Sequence, residues 1–226
     1  MVDIFQQLNE LLDLLLPALY ETFYMVGVSI TITYLLGLPL GITLVVTEKG
    51  HILECQSVQK ISGTIVNIFR STPFIILMVA IIPFTVLIVG RSIGTTAAIV
   101  PLTVASIPFA ARMVESSLKE IDSGVIESAI AMGASPWQII LKVLIPEALP
   151  GLILGGTITI INLISYSAMA GVVGGGGIGT LAINYGYYRF QTDVMIATVV
   201  VLIILVQGIQ AIGNFTAKKV DKRVNK

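Results

Sequence analysis

The sequence predicts an all-α integral membrane protein of five transmembrane helices, with its N-terminus outside and its C-terminus in the cytoplasm. Three observations carry that reading. Of the 226 residues, 55% are hydrophobic and only 12% charged, and the mean hydropathy is +0.95, far too apolar for a soluble domain of this length. Charge-free stretches recur along the chain, and since a span takes about 20 apolar residues, roughly five fit with short connections and leave no room for a sizeable soluble domain. Lys and Arg are also shared unevenly between alternate loops. Lys49, Lys60, Arg112, Lys119, Lys142, Lys218, Lys219, Lys222, Arg223 and Lys226 fall on one side, Arg91 and Arg189 on the other. The crowded side is cytoplasmic.

In chain order, the segment to Leu16 is acidic and apolar in helical rhythm, which places it at the membrane surface. Its Asp3, Glu10 and Asp13, without Lys or Arg, reverse the charge of a secretory leader, so an uncleaved membrane protein is expected. The first span covers about 17–47, with Thr22 to Thr47 free of charge. Inside it Gly37-Leu-Pro-Leu-Gly41 pairs small residues four apart around a proline, which predicts a kink and close approach of a neighbouring helix.

Glu48 to Lys60 is a polar loop, and in it the lone Cys55 and lone His51 read as solvated loop residues that build no disulfide or metal site. The second span, 61–89, is interrupted by Asn67, Arg70, Ser71 and Thr72 before Pro73. The third, 92–114, contains Pro101 and Pro108 and ends at the polar pair Arg112 and Glu115. The fourth, 148–170, carries Gly151 and Gly155 as a second close-packing pair. Gly171 to Gly179 breaks the helix, Thr180 to Tyr188 reads as a short interfacial helix rich in tyrosine, the fifth span covers 194–217, and a basic tail follows.

Between the third and fourth spans, residues 122–146 are too short and too interrupted to cross a membrane. Asp122 and Ser123 suit the cap of a first short helix, whose Ile126, Ala129, Ile130 and Gly133 fall at i, i+3, i+4 and i+7. Gly133 ends it in the left-handed position. Ser135 caps a second helix, with Pro136 at the first helical position and Gln138 completing a capping box. Trp137, Ile140, Leu141 and Leu144 give that helix one apolar face, and Pro146 is expected to stop it.

Glu127, Ala129, Gly133, Val143, Ile145 and Pro146 meet the pattern Glu-x-Ala, three residues, Gly, nine residues, hydrophobic-x-hydrophobic-Pro. This resembles the cytoplasmic coupling segment of permease subunits of binding-protein-dependent ABC importers. Ser128 stands where the family usually has Ala, and Val143 and Ile145 replace Ile and Leu. The resemblance implies the type I importer permease fold in one domain over 1–226, and coupling to a separate ATPase through Glu127, Ala129, Met132, Gly133, Ala134, Ser135, Trp137, Ile140 and Pro146. An ordinary amphipathic interfacial helix pair would explain the apolar stripes but not the Glu, Gly and Pro spacing.

Asn67-Ile-Phe-Arg-Ser-Thr-Pro-Phe-Ile-Ile-Leu77, Ala98-Ile-Val-Pro-Leu-Thr103, Ala111-Arg-Met-Val-Glu115, Pro146-Glu-Ala-Leu-Pro-Gly151 and Tyr166-Ser-Ala-Met-Ala170 are similar to the methionine importer permeases over residues 61–189. The resemblance implies a homodimer with two ATPase copies, an external substrate-binding lipoprotein, and inward transport of methionine or its derivatives, D-methionine among them, across a bacterial inner membrane. A permease for another amino acid is the alternative.

No phosphate-binding loop with its lysine is present. The nearest stretch, Gly174-Gly-Gly-Gly-Ile-Gly179-Thr180, lacks that residue and lies on the outer side. The expectation is that this chain holds no cofactor and that ATP and Mg are bound by the partner ATPase. No acidic residue sits well inside a span, which argues against an ion-coupled secondary transporter, and nothing forms a constellation for acid-base, metal or nucleophilic work or for binding nucleic acid. A pure scaffold would not need the Glu, Gly and Pro pattern.

The translocation path or gate is assigned to Arg70, Ser71, Asn162, Tyr166 and Met169. Arg70, about 13 Å along the helix from the cytoplasmic end, either lines a wet path or snorkels. Ser165 and Ser167 read as packing residues, while Tyr166 and Met169 lean towards a gate.

Overall fold

The computed structural model describes residues 2–221, with side chains from residue 9 onward. Lys222, Arg223 and Lys226 of the basic tail, and the side chain of Asp3, lie outside the described residues. Ten α-helices follow one another: α1 (Val2–Val46), α2 (Gln56–Ser71), α3 (Phe74–Ala80), α4 (Ile82–Val89), α5 (Thr95–Lys119), α6 (Ser123–Ala131), α7 (Pro136–Ile139), α8 (Ile145–Ala170), α9 (Gly177–Leu181) and α10 (Thr192–Val220). Among the described residues four helices are long and apolar enough to cross a membrane, and a fifth crossing is counted when the bent pair α2 and α3 is taken as one span.

Several boundaries differ from the sequence expectation. No surface helix is set apart before the first span: α1 runs unbroken through Pro17 and Pro39. The second span is broken rather than continuous. Pro73 offers no N–H and confines Thr72 to extended backbone (φ −87°, ψ 124°), and the hydroxyls of Ser71 and Thr72 both donate to the Ile68 carbonyl, at 2.8 and 3.1 Å. α2 ends there, and Gly90 in the left-handed conformation (φ +77°) closes α4. α5 runs on to Lys119, beyond the expected end near residue 114.

The chain forms two compact units, Met1–Ile32, Pro73–Ala105 and Ile160–Ile209 in the first, Thr33–Thr72, Ser106–Thr159 and Gln210–Lys226 in the second. The first is built on Met25, Phe74, Met78, Leu102, Leu163, Ile164 and Ala170, with a smaller cluster of Leu15, Ala18, Ile178, Leu181 and Val194. In the second, Val45, Val46, Val114, Leu118 and Ile121 surround Ala129, Ile139, Ile140, Leu144 and Ala148. The expected close approach at Gly37 and Gly41 is present in this unit. A Cβ on Gly41 would lie 2.6 Å from the Ala111 carbonyl oxygen, and one on Gly37 3.0 Å from Ala110 Cβ, so α1 and α5 touch backbone to backbone there.

Candidate coupling site and translocation path

The polar segment after α5 folds as two capped helices around one glycine. Asp122 Oδ1 accepts from the Gly124 N–H at 2.7 Å and starts α6. At the other end the Gly133 N–H reaches the Ile130 carbonyl (2.9 Å) and the Ala134 N–H reaches that of Ala129 (3.1 Å). This is the double bond of a Schellman ending. It requires φ near +80° at Gly133, while no atom lies within 4 Å of where a Cβ would be. The glycine is there for its backbone freedom and not for lack of space. Ser135 and Gln138 then cap each other, the Ser135 N–H donating to Gln138 Oε1 at 2.8 Å and the Gln138 N–H to Ser135 Oγ at 3.4 Å.

Pro146 does not stop the second helix. Ile140–Leu144 forms a π-helical turn, in which the Ile145 N–H bonds the Ile140 carbonyl, and α8 continues from it. The wider turn places the ringed, N–H-less Pro146 in the next helix's first turn, where its missing donor does no harm. The chain from Pro136 to Val173 is thus helical without a break.

The π turn also divides the stripe that the 3.6-residue period put on one face. Trp137 is 71% exposed and Leu141 59%, whereas Ile140 and Leu144 are buried beside Ile139. On α6, Ala129 is buried while Ile130 and, just past its end, Met132 are exposed. Glu127, Gly133, Ser135 and Pro146 are exposed and Ala134 is half-buried. Of the residues expected to couple, Met132 and Trp137 therefore project as free apolar side chains, and Ala129 and Ile140 root the segment in the core of the second unit.

The same unit contains an ionic chain that the sequence reading treated only as the polar end of a span. The Arg112 guanidinium pairs with Glu115 and donates to Asn67 Oδ1 of α2 at 2.7 Å. Lys119 Nζ lies 3.2 Å from the second Glu115 oxygen and 2.9 Å from Glu48. Glu115 is buried, held between two cations. The i, i+3, i+7 spacing of Arg112, Glu115 and Lys119 along one face of α5 was the available signal.

Arg70 and Ser71 belong to the second unit. Arg70 is exposed at the end of α2 and makes no hydrogen bond or ion pair among the described residues. Asn162, Tyr166 and Met169 belong to the first unit, at i, i+4 and i+7 along α8. The Asn162 amide nitrogen is buried without a hydrogen-bond partner, Tyr166 stacks on Phe74, and Met169 is 45% exposed. Ser165 and Ser167 donate to the Ile161 and Ile164 carbonyls of their own helix, in keeping with a packing role.

Beyond α8, Gly171 to Gly179 makes a 3₁₀ turn and then α9. Its N–H groups are already committed: Gly175 to the Ala170 carbonyl, Gly176 to Thr180 Oγ1, Gly177 to a Glu21 carboxylate oxygen and Ile178 to Thr22 Oγ1. A carboxylate occupies the place an anion would need.

Helical throughout its regular structure among the described residues, with several helices long and apolar enough to cross a membrane and an interrupted second span, the chain has the architecture of a multi-pass membrane permease. Residues 37–226 match the family described as binding-protein-dependent transport system inner membrane component. The chain is 54% identical over 211 residues to the "Probable D-methionine transport system permease protein MetI" of Vibrio cholerae, covering 93% of this chain and 94% of that one. It is 55% identical over 158 residues to the D-methionine transport system permease protein MetI of Escherichia coli K12, covering 70% and 73%. The solved inward-facing MetNI methionine ABC transporter in its native crystal form superimposes with a TM-score of 0.91 at 51% identity, over 92% of this chain and 97% of that one. A crystal structure of an amino acid ABC transporter shares the fold at a TM-score of 0.78 and 16% identity, over 95% and 98% of the two chains. The chain belongs to the inner membrane components of binding-protein-dependent transport systems.

Proposed function

We propose that this chain forms the translocation path of an ATP-driven importer for methionine, D-methionine and related derivatives included. It acts as a homodimer in the bacterial inner membrane, joined to two ATPase subunits and supplied by an external binding lipoprotein. The relatives' names and their similarity over nine-tenths of the chain support the substrate. The coupling role rests on one observation above all. The Gly133 turn holds Met132 and Trp137 in the open while Ala129, Ile139, Ile140 and Leu144 anchor the same segment from within.

In this reading the ATPase grips Met132 and Trp137, with Glu127 offering a carboxylate acceptor at the rim. ATP and Mg are held by that partner, and this chain catalyses no reaction. The committed N–H groups of the glycine segment and the Glu21 carboxylate among them speak against a phosphate site there. When the docked segment moves, the displacement enters α8, the helix that also carries Asn162, Tyr166 and Met169.

The test is uptake of labelled L-methionine in cells lacking the gene, complemented with this chain. Restored ATP-dependent uptake, competed best by methionine and its D-isomer, supports the reading. Restored uptake competed better by another amino acid would move the substrate, and no co-purifying ATPase subunit would sink the importer.

A further inference from the structure

The longest-range hydrogen bonds among the described residues join the outer part of α1 to the glycine segment that follows α8. The Gly177 N–H donates to Glu21 Oε2 at 2.6 Å and the Ile178 N–H to Thr22 Oγ1 at 3.0 Å, in each case across 156 residues of sequence. We propose that Glu21, aided by Thr22, is a positioning residue that latches this segment and so sets the closed state of the outer gate at Tyr166 and Met169. The inference rests on the placement of the gate under the proposed function.

The reason for the latch starts from the sequence. α9 opens behind Gly176, which has no side chain with which to cap it, and φ values of +86° at Gly176 and +71° at Gly177 leave the first N–H groups facing α1. Glu21 and Thr22 supply the acceptors that a local Ser or Asp would otherwise give. Thr22 donates its own proton to the Ala18 carbonyl, which leaves its oxygen lone pair for Ile178. Ile178 is fully buried with Leu15 and Ala18, so the contact is seated in a packed apolar cluster.

From α9 the constraint passes to the gate by backbone contact. A Cβ on Gly179 would lie 2.2 Å from the Ala168 carbonyl oxygen, and one on Gly171 2.3 Å from the Gly179 carbonyl carbon. No side chain intervenes to absorb a displacement. A shift of α9 must therefore move Ala168, which lies with Ser167 between Tyr166 and Met169 on the last turns of α8. Glu21 also borders an open cleft of about 430 Å³ with Pro17, Tyr20, Tyr24, Thr95 and Thr96. The latch is thus a pair of side-chain acceptors, and losing either leaves the backbone hydrogen bonds of the helices on both sides whole.

The experiment uses the full transporter with its ATPase subunits in proteoliposomes, in a Cys55→Ser background carrying Met169→Cys. Two quantities are read against the otherwise unaltered transporter: ATP hydrolysis without binding protein, and labelling of position 169 by a membrane-impermeant maleimide from the outer side. A hydrogen bond to a charged acceptor corresponds to roughly a ten- to hundredfold bias in an equilibrium. Glu21→Ala should therefore raise both rates, by up to about that factor, and lower uptake per ATP hydrolysed. Glu21→Gln, which keeps an acceptor oxygen, should stay close to the parent. Thr22→Val, which removes only the second acceptor, should shift both rates in the same direction by less, and it serves if Glu21→Ala does not assemble.

Parental labelling and hydrolysis in both Glu21→Ala and Thr22→Val would overturn the inference. So would a Glu21→Gln variant as defective as Glu21→Ala, or losses that only track membrane abundance. Methionine uptake by the wild-type transporter is measured in vesicles prepared in parallel. Its failure would count against the proposed function, whereas failure of the latch leaves that function standing.

Discussion

Phe74 and Tyr166 stack with ring centroids 4.4 Å apart and planes within 3° of parallel. Phe74 is the first residue of α3, immediately after the Pro73 break, and is buried at 6% exposure. The resumed half of the broken span is therefore keyed to Tyr166 of α8. Phe74→Ala should destabilise the protein by about 3–5 kcal/mol through the lost burial and the cavity left behind. Tyr166→Phe keeps the stack and should leave the melting temperature near wild type. Thermal unfolding in detergent, followed for both variants, decides the matter: an unchanged melting temperature in Phe74→Ala would refute the contribution of the stack.

Gly133 supplies a second prediction because its neighbourhood is empty and only its φ of +80° constrains it. A Cβ in that conformation costs about 1–2 kcal/mol, and asparagine tolerates it best among the other residues. Gly133→Val should insert in the membrane normally but recover less ATPase subunit on co-purification and transport more slowly, with Gly133→Asn between it and wild type. Equal recovery of the ATPase by all three chains would show that the turn does not shape the docking surface.

Trp137 and Ile140 separate touching the partner from holding the segment in place. Trp137 is largely exposed, so Trp137→Ala should change folding stability by no more than about 0.5 kcal/mol. As a centrally buried aromatic in a complex it would weaken ATPase binding by about 2 kcal/mol or more. Ile140, buried at 4% exposure, should behave the opposite way, with Ile140→Ala lowering stability by about 2–5 kcal/mol. Binding measured by titration and stability measured by melting should dissociate in these two variants. Parallel losses in both would contradict the division of labour.

The local chemistry of residues 122–146 could be read from the sequence because caps, a positive-φ glycine and a capping box are decided within three or four residues. Asp122, Gly133, Ser135 and Gln138 all occupy the places their types suggested. The π turn at Ile140–Leu144 could not be read, because the 3.6-residue template has no slot for an extra residue and a proline ordinarily signals an end. That one turn decides which of Trp137, Ile140, Leu141 and Leu144 face outwards. The Glu21 contact was equally hidden: a carboxylate near a span end looks like an ordinary solvated charge until the fold brings Gly177 to it. The broken second span was half visible, since Ser71-Thr72-Pro73 carries both the hydroxyls and the proline that break it.

Glu115 gives a further prediction, from its place between Arg112 and Lys119. Removing the carboxylate leaves two cations facing each other and takes away the tie through Arg112 to Asn67 on α2. Glu115→Ala should destabilise the second unit by about 2–3 kcal/mol. Glu115→Gln, which retains hydrogen-bonding oxygen but not charge, should lose less. Hydrogen exchange of the α2 and α5 amides would locate the effect. Protection lost uniformly along the chain, or not at all, would argue against a local brace.

His51, the single histidine, closes the loop after α1 and allows a clean test by titration. Its Nδ1 accepts from the Ile52 N–H at 3.0 Å, which needs that nitrogen unprotonated. Partial burial pushes the imidazole below its usual value of 6.5, and the nearby Glu48 charge opposes this in part. A base whose folded value is depressed binds fewer protons than the unfolded chain over the interval between the two values. Its contribution to stability is therefore complete above 6.5, the ordinary value, and declines as pH falls through that value towards the folded one. Wild type should lose melting temperature over this interval relative to His51→Gln, and Glu48→Gln should depress the His51 midpoint further. NMR of a histidine-labelled sample reads the midpoint directly, and a value at or above the ordinary one would reverse the sign and defeat the prediction.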